Sequence, residues 1–154
     1  CEMEHPCCAM AEPFRLQTIL DLSQNRMDEA ARAFAALLAS EQDQARKLTL
    51  LEDYRTEYQG QFMTAARNGL TPGQWSNYRA FLARIDDAIR QQEYLVAQSR
   101  DRAQAGQREW LDTRTRVKAF ETLSDRHQAN IVRREARAEQ RVADDRPGRP
   151  MNGD

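Results

Sequence analysis

The chain has 154 residues, a net charge of −1 and a mean hydropathy of −0.85. Of its apolar 40%, 22 residues are alanine, so large apolar side chains are too sparse for a globular core, and the composition is that of a long-helix protein. Its 23 basic and 24 acidic residues are interspersed, which argues against a nucleic-acid-binding face, and no apolar run approaches the roughly 18 residues a membrane span needs.

Residues 1–13 read as a disordered N-terminal tail. Met10-Ala11-Glu12-Pro13 looks like a natural start, with Cys1–Ala9 as an upstream extension. All three cysteines and His5 lie there, but Cys7 and Cys8 are adjacent and no second ligand pair exists, so no metal site is expected.

Residues 14–143 read as a hairpin: a helix over 14–67, a turn over 68–71 and a helix over 72–143. Both long runs are rich in Ala, Gln, Glu, Arg and Leu, which lose little side-chain freedom in a helix. Pro72 is the only proline between Pro13 and Pro147. Thr71 caps the second helix, with Pro72 at its first position and Gln74 completing a Thr-x-x-Gln capping box. Leu70 and Trp75 form the hydrophobic staple, and Gly69 is a left-handed terminator for the first helix.

Steps of three and four pick out a heptad seam in the first run through Leu16, Leu20, Ser23, Met27, Ala30, Phe34, Leu37, Glu41, Gln44, Leu48, Leu51, Arg55, Tyr58, Phe62 and Ala65, apolar at 11 of 15 positions. In the second run the seam passes through Trp75, Tyr78, Leu82, Ile85, Ile89, Gln92, Val96, Ser99, Ala103, Gly106, Trp110, Thr113, Val117 and Phe120. It weakens through Ser124 and His127 before Ile131, with His127 exposed or at the seam edge. A reversal near residue 70 pairs positions whose numbers sum to about 140, as interdigitating antiparallel helices require. Phe34 then faces Gly106, Ala30 faces Trp110, Leu20 faces Phe120 and Leu51 faces Ile89, so large residues meet small ones.

The same register places Tyr54, Phe81, Ala88 and Leu95 along one side of the seam near the turn. Glu52, Gln59, Arg79, Asp86 and Glu93 lie along the other. A two-helix seam does not need an apolar, aromatic flank, so this side is a candidate docking surface. At the far end Phe14 lies opposite Arg126, and residues after about 127 overhang the first helix as a partner-ordered or mobile segment. Residues 144–154, with Pro147, Gly148, Pro150 and Gly153, read as a disordered tail.

Catalytic machinery is not expected: there is no glycine-rich phosphate loop, no spaced Cys/His set, and the carboxylates sit at ordinary salt-bridge spacing. No cofactor is expected either.

Phe14-Arg15-Leu16-Gln17, Asp28-Glu29-Ala30-Ala31-Arg32, Leu48, Leu51, Asp53-Tyr54-Arg55, Glu57-Tyr58 and Asn68-Gly69 carry a resemblance that covers about residues 10–146. It continues through Trp75-Ser76-Asn77-Tyr78-Arg79-Ala80-Phe81, Ala88-Ile89, Gln91, Trp110, Leu123, Asp125-Arg126 and Glu139-Gln140-Arg141. The set resembles FliJ, the soluble coiled-coil component of the flagellar type III export apparatus. The resemblance implies an all-α antiparallel coiled-coil hairpin similar to the gamma-subunit shaft of F-type ATP synthases. It also implies a non-enzymatic cytoplasmic protein at the inner-membrane face of the flagellar base, without membrane insertion.

Implied partners are the hexameric export ATPase FliI, whose activity it stimulates, the export gate protein FlhA, and export chaperones. The family's exposed gate-facing row falls on Leu51, Tyr54, Tyr58, Phe81, Ile85 and Ala88, with Lys47 and Gln92 departing from the family pattern. The ATPase-facing ends fall on Phe14, Arg15, Gln17, Arg133, Arg137, Gln140 and Arg141. The alternatives are a general chaperone or adaptor for exported subunits, and the stalk of a virulence-type injection system; Asn77-Tyr78 and Glu139-Gln140-Arg141 argue against the latter.

Overall fold

A computed structural model describes the backbone of residues 11–145 and the side chains of residues 15–145. The expected tails at residues 1–10 and 146–154, the cysteines and His5 among them, lie outside the described residues. Helix α1 spans Ala11–Arg67 and α2 spans Pro72–Asp144, packed against each other as a helical hairpin. α1 starts three residues before the expected position 14. Pro13 then falls in its first turn, where the missing N–H has no intrahelical acceptor to lose.

The turn is held by the expected reciprocal bonds. The Thr71 backbone N–H donates to Gln74 Oε1 at 3.1 Å, and the Gln74 N–H donates to Thr71 Oγ1 at 3.3 Å. Gly69 has φ 91°, a left-handed conformation in which any Cβ would be strained, and its N–H donates back to Ala66. Trp75 does not close into the seam as expected: it remains 45% exposed, because α1 ends at Arg67 and offers little beyond Phe62 to cover it.

The heptad rule describes the burial closely. Every one of the 15 chosen positions on α1 is half-buried, and on α2 every position from Tyr78 to Ile131 is buried or half-buried. Among the described residues the hairpin divides into two compact units, residues 28–112 and residues 11–27 with 113–145.

In the unit of residues 28–112 the two helices meet in the expected register. Gly106 lies against Phe34 and Leu37: a Cβ there would sit 2.6 Å from Leu37 Cδ1 and 3.6 Å from Phe34 Cδ2. Trp110 stacks on Phe34, with ring centroids 6.0 Å apart and planes at 20°. Helical side chains lean toward their own N-terminus, so each ring reaches back one turn and the two meet between their levels. Gln92, only 8% exposed, donates from Nε2 to Gln44 Oε1 at 2.7 Å and to the Gln44 carbonyl at 2.9 Å.

In the other unit, Val117 is buried at 4% exposure, and Leu16, Leu20, Met27, Phe120 and His127 are half-buried along the same seam. Beyond Ile131 all residues through Asp145 are exposed.

Candidate docking surfaces

A two-helix hairpin buries one stripe of each helix and leaves the rest in water, so its functional surfaces are flanks and ends. Near the turn the flank is aromatic. Phe62 packs on Trp75 (5.0 Å) and Tyr78 (5.3 Å), and Tyr78 continues to Tyr58 (5.3 Å). Tyr58 meets Phe81 at 4.4 Å, and Phe81 meets the Tyr54 ring edge-on at 6.1 Å and 82°. These edge and offset geometries suit the ring quadrupoles, and Tyr54 is the outermost ring of the cluster. Tyr54 is 48% exposed and forms its outward face. Loss of hydration raises the Tyr58 phenol above its ordinary value, with smaller contributions from Tyr78 and Tyr54.

The opposite flank is charged. Arg55 donates from Nε to Asp86 Oδ1 at 2.5 Å and from Nη1 to Gln59 Oε1 at 3.2 Å. The hydrogen bond from Arg55 holds the Asp86 carboxyl below its usual range, partly offset by lost hydration. This bridge crosses between the helices on the side away from the aromatic cluster.

The expected row near the turn is therefore only partly a surface. Leu51, Tyr58, Phe81 and Ala88 are half-buried and flank the exposed Tyr54. Ile85 is at 5% exposure in the seam, so its side chain presents no surface for docking. It sits at a d position, where facing the opposite helix is what the register demands. Of the two departing positions, Gln92 is buried on Gln44, while Lys47 is exposed and pairs with Asp43 at 3.1 Å.

Among the exposed apolar residues that escaped the sequence reading are Leu50 at 67% and Tyr94 at 64%. Both lie off the seam and its immediate flanks, so a search by heptad flank passes over them. Leu95, which the register did place on the flank, is 42% exposed and lines a shallow depression with Tyr94, Arg90 and Gln91.

At the chain ends, Arg15 and Gln17 are exposed, Gln17 donating to Asp21 at 2.9 Å. Arg133, Arg137, Gln140 and Arg141 are all exposed on the last four turns of α2, where Val132 and Val142 are also bare. The Phe14 side chain lies outside the described side chains. Among the described residues no cluster of His, Cys, Asp and Glu is grouped to hold a metal ion, and no helix is long and apolar enough to cross a membrane.

Comparison with known proteins places these surfaces in context. Residues 12–149 match the family described as flagellar FliJ protein. The chain is 29% identical over 136 residues to the flagellar FliJ protein of Salmonella typhi, covering 88% of this chain and 92% of that one. It is 27% identical to the flagellar FliJ protein of Escherichia coli (strain K12), over the same shares of each chain.

Proposed function

The chain belongs to the FliJ family of flagellar proteins, and on that premise we propose that it serves flagellar type III export by binding alone. Its paired ends lodge in the hexameric export ATPase. By binding the assembled ring and not free subunits, they draw the equilibrium toward the active hexamer. Arg15, Gln17, Arg133, Arg137, Gln140 and Arg141 carry this contact, with Phe14 beside them. The aromatic flank at Leu51, Tyr54, Tyr58, Phe81 and Ala88 docks the export gate, linking ring and gate at the cytoplasmic face of the flagellar base. Export chaperones are further partners.

The observation that most supports this reading is the presence of two unlike surfaces on one chain. One is an aromatic flank with Tyr54 at its face; the other is an arginine-bearing stretch of α2 exposed over its whole length after Ile131. Both are what a linker between two proteins needs, and neither is needed by the seam.

The test is phosphate release by a purified flagellar export ATPase, with and without the full chain. Stimulation that saturates near one chain per hexamer is expected. No stimulation, together with tight binding of unfolded export subunits, would favour a chaperone or adaptor instead.

A further inference from the structure

The unit made of residues 11–27 and 113–145 carries a groove that the gate surface does not use and that shares only Arg15 with the proposed ATPase contact. Ile19, Leu22, Ser23 and Arg26 of α1 line it together with Thr113, Arg116 and Phe120 of α2, around about 200 Å³. That is below the roughly 300–1,000 Å³ of a small-molecule site, so the groove suits protruding side chains better than a free ligand.

Its floor is apolar and bare: Ile19 is 43% exposed, Leu22 51%, and Leu123, one helical turn beyond Phe120, 49%. Its rim is basic. Arg26 and Arg116 line the groove directly. Arg15 lies one turn before Ile19 on α1, and Arg126 one turn beyond Leu123 on α2, both exposed. Arg15, Arg26 and Arg126 thus border one apolar strip, while Arg116 is already engaged within the protein. The other flank of this unit mixes Asp21, Glu121 and Asp125 with Arg114 and Lys118, so the basic rim is particular to the groove side.

We propose that this groove receives the apolar face of an acidic amphipathic helix from a partner protein. Leucine-like side chains at helical spacing would seat on Ile19, Leu22 and Phe120, making a local three-helix bundle. Carboxylates on both shoulders of that helix would meet the guanidinium groups, which match carboxylate geometry better than lysine does. Arg15 and Arg26 are eleven residues apart, or about 16 Å along α1, so the partner needs carboxylates spread over some three turns. A concave strip between two helices suits a third helix, whereas a membrane surface suits a convex or flat one. The inference shares Arg15 with the proposed ATPase contact, but its test needs no ATPase.

The probe is a fluorescein-labelled amphipathic peptide of roughly 20 residues, with leucine on the seam positions and glutamate on both flanks. Its twin carries lysine in place of glutamate. Fluorescence anisotropy with the full chain is expected to show saturable binding of the acidic peptide alone, weakening as salt is raised. Leu22→Glu should abolish binding, and Arg26→Glu with Arg126→Glu should weaken it by about ten-fold or more. Arg134→Glu, outside the groove, should leave it unchanged, and circular dichroism should show every variant as helical as the parent. Equal binding of both peptides, or binding untouched by Leu22→Glu, would overturn the proposal. So would a self-dimer in sedimentation that Leu22→Glu dissolves, or binding to phosphatidylglycerol vesicles without peptide binding.

Discussion

Gln92 reaches across the seam to Gln44 and satisfies its carboxamide twice, on the Gln44 side chain at 2.7 Å and on its backbone carbonyl at 2.9 Å. A buried polar layer in a coiled coil selects one register at some cost in stability. Removing one partner strands the other, whereas replacing both by apolar groups removes the desolvation cost. Gln92→Ala should therefore lower unfolding free energy by about 1–2 kcal/mol in urea melts. The double change Gln44→Leu with Gln92→Leu should be at least as stable as the parent. A double variant as weak as the single one would show that the layer contributes stability and not register.

Gly106 is a position where the two helices approach closely. A Cβ would already press on Leu37 Cδ1 at 2.6 Å, the movable tip of a side chain, while the Phe34 backbone stays at 3.7 Å. Gly106→Ala should be close to neutral, since the gain of up to about 1 kcal/mol in helix propensity offsets the shift of Leu37. Gly106→Leu has no such relief between Phe34 and Leu37 and should cost on the order of 1–3 kcal/mol. Chemical denaturation checks both, and equal stability of Gly106→Leu and the parent would refute the register.

Much of this was legible beforehand because a helix has one period. Steps of three and four fall on the buried stripe whatever the side chains are, so even Glu41, Gln44 and Arg55 were placed on it correctly. The turn was legible for a similar reason: Thr71, Gln74 and Gly69 have few other roles at that spacing. Ile85 shows where this ended. The register put it at a seam position while the family resemblance put it on the surface, and burial at 5% favours the register. The arginine-rimmed groove was not legible because Ile19, Leu22, Arg26 and Arg116 stand beside the seam on two different helices, and only packing joins them around the seam residues Ser23, Thr113 and Phe120. Leu50 and Tyr94 were missed because an exposed leucine or tyrosine looks the same in sequence whether or not it belongs to a patch.

Acid should loosen the hairpin on its charged flank. The Asp86 carboxyl is depressed when folded, so its contribution is present above the ordinary carboxylate range and is lost as pH falls through its lower folded value. Asp86→Asn should flatten this part of the stability profile in thermal melts from neutral to acid pH. Tyr58 runs the other way: its raised phenol favours the folded state below the ordinary tyrosine value and ceases to as pH climbs through the folded one. Tyr58→Phe should remove that alkaline loss, and an unchanged profile in either variant would contradict the assignment.

The bare end of α2 should be separable from folding. Every described residue after Ile131 is exposed, so a chain truncated there should melt within about a degree of the parent, as poorly packed ends contribute little to global stability. Stimulation of the export ATPase by the truncated chain should nonetheless fall several-fold. Full stimulation would move the ATPase contact elsewhere on the hairpin.

The central claim is that one chain holds two partners by two surfaces, and Tyr54 with Phe81 tests it most directly. These rings meet at 6.1 Å, with Tyr54 half in solvent, so changing both to alanine strips the flank while leaving the seam residues in place. The measurement is made on one preparation of the Tyr54→Ala, Phe81→Ala chain, as affinity for the purified export gate and stimulation of the export ATPase. Gate affinity should drop by about ten-fold or more, as loss of clustered aromatic anchors does, with ATPase stimulation unchanged. Loss of both activities together in a chain that remains helical, or of neither, would contradict the account.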